Sequence, residues 1–245
     1  MQTWRLIYTG FNNGYYNMAV DEAIAIAVRE GKVPSTLRFY TWDPPCISIG
    51  YFQKPDESLK GCTVRRITGG RAVFHGNDLS YSVVSGTDNT MFPKNINGTY
   101  SAIANALTAG LRLFGINPDP VDVNKSRIDS SADYHKTRLC FNTAIRHEIT
   151  VYGKKLIGSA QRRWSDVFLQ HGSILVNGPC SENGPASISL REILKQVQND
   201  SVDGLVACLS NGFTEALGIQ FMTEDISGYE LELSENLIVE KYSRL

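Results

Sequence analysis

The chain has 245 residues, 42% of them hydrophobic, which is enough to bury a substantial core in one large domain or in one domain with a small appendage. Its 24 basic and 25 acidic side chains leave a formal net charge of -1, so no chain-wide field exists to hold a polyanion or an anionic membrane surface. Neither nucleic acid nor membrane is expected as a partner. No apolar run is long enough to cross a bilayer, the opening MQTWRLIYTG lacks the features of a secretory signal, and a cytoplasmic location is expected.

In chain order, TWRLIYT predicts a first strand. Asn12, Asn13 and Gly14 then open a helix in which Tyr15, Met18, Ala19, Ala23, Ile26 and Ala27 form one apolar stripe, ended by Gly31 and Pro34. Glu22 falls inside that stripe, and its expected partner is an arginine. Strands follow at TLRFYTW, CISIGYF, CTVRRI, RAVFH and LSYSVVS, separated by Pro, Gly, Asn and Asp. A second amphipathic helix carries Tyr100, Ile103, Ala104, Leu107, Leu111 and Phe114 and stops near Gly115.

The polar stretch from Asn117 to Arg138 has no periodicity and is long enough to predict a mobile functional loop. Strands resume at RHEITVY, KKLIGSA and VFLQHGSILV, the first two joined by a turn at Gly153. From Ser189 the pattern is helical, with Leu190, Ile193, Leu194 and Val197, then Val206, Leu209, Phe213 and Leu217 before Gly218. SENLIVEKY predicts one more helix. No repeat or linker divides the chain, so residues 1–245 are expected to form a single α+β domain, its mixed, largely antiparallel sheet covered on one side by helices.

Five cysteines, at positions 46, 62, 140, 180 and 208, are odd in number and scattered, with no C-x-x-C pair. They are expected to be reduced thiols, and no metal site is expected.

The densest cluster of unusual residues is RRITGGRAVFH, Arg65 to His75. Paired glycines let a ligand approach the backbone, and arginines bind anionic or carbonyl groups, yet the pattern is neither a P-loop nor a dinucleotide fingerprint. A tight turn with exposed arginines fits it equally well. A second cluster lies in CFNTAIRHEITVYGKKLIGSAQRR, where Cys140 precedes Lys155 by fifteen residues. Either residue alone has an ordinary structural explanation: a small buried hydrophobe, or a solvated lysine at a hairpin end. Together they have a chemistry, since an ammonium lowers the pKa of a neighbouring thiol and a partly buried amine can move protons. Gly158, Ser159 and Ala160 leave room beside Lys155. His75, His135, His147 and His171 are alternative bases.

These motifs, together with NMAVDEA, RFYTW, SIGYFQ, LSYS and LQHGSIL in order along nearly the whole chain, resemble the catalytic domain shared by biotin and lipoate protein ligases. Within that superfamily the resemblance is to octanoyltransferases that use a cysteine and a lysine to load octanoate onto the glycine-cleavage H protein. Lipoate ligases typically show a third glycine where this chain has Arg71.

The resemblance implies the biotin/lipoate protein ligase fold, Cys140 and Lys155 as catalytic residues meeting across an acyl pocket, and Arg66, Gly69, Gly70, Arg71, His75, Gly158, Ser159 and Ala160 as substrate contacts. It implies no cofactor, octanoyl acyl carrier protein as donor, and the H protein or another lipoyl domain as acceptor. Gly76 departs from the acidic residue usual after this histidine, and a neighbour such as Asp78 is the substitute. No separate accessory domain of the kind carried by many lipoate ligases is expected. Two alternatives remain open on the same residues: an ATP-dependent lipoate-protein ligase, and a non-catalytic protein that binds lipoyl domains or acyl carriers.

Overall fold

The computed structural model describes residues 1–55, 61–120, 148–177, 187–194 and 202–244. Seven strands make the main sheet: β1 (Gln2–Asn12), β2 (Thr36–Trp42), β6 (Asp78–Gly86), β7 (Ile149–Val151), β8 (Lys154–Arg163), β9 (Val167–Leu175) and β10 (Ile219–Thr223). Their order is β10-β1-β2-β6-β9-β8-β7. β1 runs parallel to both neighbours, and every other pairing is antiparallel. A second sheet orders β4 (Cys62–Arg65), β3 (Cys46–Ile49) and β5 (Val73–His75). The fold is therefore α+β with a mixed, largely antiparallel sheet, as expected.

The helices, however, cover both faces of the main sheet rather than one. Side chains alternate along a strand. Leu37 and Phe39 of β2 join a core with α2 (Ile96–Leu113) and α4 (Val202–Leu217), whereas Tyr40 and Trp42 join a second core with α1 (Gly14–Arg29). All seven residues of β2 are consequently buried. Polar residues such as Arg38, Ser80 and Ser82 make the second face look solvent-exposed in the sequence; they are buried because buried carboxylates accept from them, Asp21 from Arg38 and Ser82 and Asp78 from Ser80. α5 (Gly228–Leu237) lies against the outside of α1.

Local chemistry sets the helix ends. Asn13 caps α1 by accepting from the Tyr16 amide at 2.9 Å. Ser227 and Glu230 close a capping box at the start of α5, so this helix begins earlier than SENLIVEKY suggested, and Ile238–Tyr242 ends it in a wider π turn. Gly110 and Gly212 let α2 and α4 touch through their backbones: a Cβ on Gly110 would sit 2.5 Å from the Cα of Leu209. Strand β10 was not anticipated, because IQFMT is short and follows a helix directly. It completes the sheet edge with Gln2 opposite Ile219.

Two smaller expectations change. Glu22 pairs with Lys241 at 2.7 Å and accepts from the Tyr242 hydroxyl, not from an arginine, because it faces the C-terminal turn. Its neighbour Asp21 takes the arginine, Arg38, at 2.7 Å. Cys46 and Cys62 are not reduced thiols: they face each other in the parallel β3–β4 pair and are joined as a disulfide. α3 (Leu190–Leu194) holds the described start of the helical run from Ser189. The loop expected over Asn117–Arg138 falls mostly outside the described residues, as does Val197.

Candidate active site

The small sheet meets the main sheet where the imidazole of His75 stacks on Trp42, ring centroids 3.8 Å apart and 11° from parallel. This contact fixes a cavity of about 560 Å³. One side is the small sheet and its turn, with Ser48, Arg66, Gly69, Gly70, Arg71, Val73 and His75. The other is Gly158–Gln161 of β8 and His171–Ser173 of β9. Met18, Tyr40 and Trp42 add apolar surface, Asn97 and Tyr100 contribute from α2, and Glu148 completes the wall.

All eight residues expected as substrate contacts, from two segments some ninety residues apart, thus line one cavity. Beside these residues Val73 lines the cavity, whereas Ile157 lies in the core with α2 and α4 and Phe74 packs within the small sheet. Cys140, His135 and His147 lie outside the described residues.

Lys155 on β8 is 1% exposed and ion-paired through Nζ to Glu148 Oε1. A lysine this deeply buried requires such a partner, and the carboxylate ties it to the cavity wall.

The RRITGGR segment is organised by its own arginines. Arg66, 4% exposed, donates from Nη1 to the Ser48 carbonyl at 2.9 Å and from Nη2 to the Gly69 carbonyl at 2.9 Å and the Arg71 carbonyl at 2.6 Å. Arg65 donates to the carbonyls of Gly50, Tyr51 and Gln53. Gly70 has φ +93° and a Cβ there would meet Arg66 Nη2 at 2.8 Å, so both conformation and space demand glycine. At Gly69 a Cβ would enter open space, which leaves its backbone accessible.

Two buried Asp–His pairs support opposite sides of the cavity. His171 Nδ1 is 2.9 Å from Asp21 Oδ2, and its Nε2 is 2.7 Å from Thr68 Oγ1. Asp21 also accepts from Arg38 at 2.7 Å, Ser82 at 2.8 Å and Tyr40 at 2.9 Å. Burial pushes the Asp21 carboxyl up, but the His171 hydrogen bond and the Arg38 charge outweigh it and hold its pKa below the usual value. Burial lowers His171 against the opposing pull of Asp21, favouring the neutral ring.

On the other side, His75 Nδ1 is 2.8 Å from Asp78 Oδ2 and Nε2 is 2.8 Å from Ser48 Oγ. Asp78, two residues beyond Gly76, takes the place beside the histidine that the missing acid left open. Ser159 Oγ meets the Tyr81 hydroxyl at 2.7 Å, and burial pushes that phenol up to about 12 although its hydrogen bonds with Ser159 and Gln170 oppose the rise.

Sequence reasoning missed Asp21, Ser48 and Glu148 as site residues and named His171 only as an alternative base. Asp21 carried a usable signal, a charge within the apolar run NMAVDEA. Ser48 and Glu148 carried none, since a serine in a short strand and a glutamate at a strand start are ordinary.

Comparisons with known proteins bear on this geometry. The family described as lipoyl protein ligase A/B catalytic domain matches residues 13–227. Octanoyltransferase LipM of Clostridioides difficile (strain 630) is 37% identical over 99% of this chain and 97% of its own length. Octanoyltransferase LipM of Kyrpidia tusciae (strain DSM 2912 / NBRC 15312 / T2) is 36% identical over 97% of this chain and 96% of its own. Among solved structures, lipoate-protein ligase A bound with ATP superposes with a TM-score of 0.80 at 26% identity, covering 100% of this chain and 97% of that one. Protein Ta0514 of T. acidophilum with bound lipoic acid gives 0.78 at 27% identity, covering 99% and 97%. The chain belongs to the lipoyl protein ligase A/B catalytic domain family and, within it, to the octanoyltransferases.

Proposed function

We propose that this octanoyltransferase takes an octanoyl group from octanoyl acyl carrier protein onto Cys140 and passes it to a lysine of a lipoyl-domain protein such as the glycine-cleavage H protein, in lipoate biosynthesis. The observation that supports this reading is the cavity, in which a backbone-lined turn at Gly69 and Gly70 faces the small residues Gly158–Ala160 across a volume suited to a medium-sized ligand. Burying an octanoyl tail there contributes roughly 5 kcal/mol, at about 0.8 kcal/mol per CH₂. Residues 1–245 act as one catalytic unit in the cytoplasm. Among the described residues no helix is long and apolar enough to cross a membrane.

Attack by the Cys140 thiolate exchanges one thioester for another with little change in free energy, so no nucleotide is required. The acceptor amine then converts the thioester into a more stable amide. Lys155, held by Glu148, stabilises the thiolate through its charge and passes a proton from the incoming amine to the departing thiol. Arg66 shapes the turn at Gly69 and Gly70, whose backbone faces the acyl carbonyl.

Incubation with octanoyl carrier protein, followed by peptide mass analysis, tests this. The expected result is an octanoyl adduct on Cys140 that an acceptor lipoyl domain discharges without ATP. Cys140→Ser should abolish transfer, and full transfer by that variant would remove Cys140 from the mechanism. The shared backbone of lipoate-protein ligase A supports a second reading, ATP-dependent ligation. Modification with free lipoate and ATP, but not with an acyl carrier, would establish that reading instead. Binding of a lipoyl domain with no transfer from any donor would mark a non-catalytic scaffold.

A further inference from the structure

The cavity wall contains a second set of groups with the polarity of an activated serine. Asp78 is buried and accepts from the Ser173 hydroxyl at 2.6 Å and the Gly76 amide at 3.1 Å as well as from His75. Burial alone would push its pKa up; the charge and hydrogen bond of His75, with those of Ser173 and Gly76, outweigh it and keep the carboxyl below its usual value. An ionised carboxylate only accepts, so Nδ1 of His75 carries a proton; whenever the ring holds no second proton, Nε2 presents a lone pair. The group 2.8 Å from that lone pair is Ser48 Oγ, which must then donate. Arg66 Nη1 donates to the same oxygen at 3.1 Å.

In that tautomer the bonds run from Arg66 to Ser48 to His75 to Asp78. Trp42, stacked on the imidazole, locks its orientation. The serine proton points at a base, the base is oriented by an acid, and both Ser48 and His75 face the cavity.

We propose that Ser48, His75 and Asp78 form a second nucleophilic centre in this cavity, one that cleaves acyl thioesters with water. It rests on the proposed function only for the class of substrate. Ser48 Oγ attacks the thioester carbonyl while its proton passes to His75 Nε2. The C–S bond breaks, the sulfur leaves with that proton as a thiol, and the acyl group remains as a serine ester. Water then attacks the ester, giving its proton to His75. The C–O bond breaks, Ser48 recovers the proton, and a free carboxylic acid departs. Arg66 is the cation beside the oxyanion formed in each step. When no acceptor lysine arrives, this route empties the cavity.

The test uses the full chain carrying Cys140→Ala, incubated with octanoyl-pantetheine and no acceptor. Release of octanoate above the buffer rate is expected, with an acid-trapped octanoyl ester on the peptide containing Ser48. Adding Ser48→Ala should lower the release at least tenfold. Release at the buffer rate in Cys140→Ala, or release unaffected by Ser48→Ala, overturns the proposal. Should that double variant fail to fold, a fluorophosphonate probe applied to the unsubstituted protein decides: labelling of Ser48, lost in His75→Asn, supports the proposal, and no label on Ser48 overturns it. The octanoyl adduct on Cys140 is scored separately in the unsubstituted protein, so transfer and hydrolysis stand or fall independently.

Discussion

The two faces of the main sheet are built from the same strands and solve opposite problems. Toward α2 and α4, β2, β6 and β9 present Phe39, Tyr81, Val83 and Phe168, a core held chiefly by removal of apolar surface from water. Toward α1 the same strands present Arg38, Ser82 and His171, buried polar groups that persist only because Asp21 gathers their donors. A dispersive core tolerates the loss of one contact by partial relaxation, whereas a carboxylate shared by four donors fails as a unit. The cavity opens on the second kind of face, where side chains are held by direction as well as by packing.

Removing the shared acid is the severest test of that contrast. Asp21→Ala strands Arg38 and His171 in the interior and should destabilise the fold by about 3–5 kcal/mol, read from urea denaturation. A loss below about 1 kcal/mol would show that the polar face is not a unit. On the apolar face, Leu107→Ala should cost about 2–5 kcal/mol yet leave transfer per folded molecule near its original level. A large loss of activity in fully folded Leu107→Ala would break the division of labour between the faces.

A smaller effect separates the faces by pH. His171 has a pKa lowered from 6.5, so the unfolded chain takes up a proton on this group before the folded one does. Its contribution is complete above about pH 6.5 and is lost as pH falls through the depressed folded value. Asp21 and Asp78 have pKa values lowered from 3.8, and their contribution is lost only at still lower pH. Melting temperature should therefore fall in two stages on acidification, and His171→Asn should remove the first; an unchanged first stage would assign it to another group. The smallest effect is at the periphery. Lys241→Ala breaks a pair whose lysine is 42% exposed, and should change stability by less than about 1 kcal/mol and transfer not at all.

The legibility of the chain follows the same contrast. The apolar face was readable because its pattern is local: Ile103, Leu107 and Leu111 repeat at helical spacing, and Leu37 and Phe39 alternate. The cavity's backbone-lined turn was readable because TGGR is contiguous. The polar face was not, because its meaning lies in pairs such as Asp21 with His171 and Ser48 with His75, 150 and 27 residues apart, which no local period registers. Cys46 and Cys62 escaped for the same reason: sixteen residues of separation say nothing of the parallel register that places them side by side.

Strand β1 has a further consequence for how the chain is made. Its outer neighbour is β10, and the buried Arg5 finds its carboxylate on Glu230, with Arg5 Nη1 to Oε2 at 3.0 Å. A nascent chain emerging from the ribosome therefore carries an open edge on β1, and an Arg5 guanidinium without its Glu230 carboxylate, until β10 and α5 have been synthesised. Closure at β1 waits for β10 and α5 to emerge, and until then that edge is one a chaperone would have to cover.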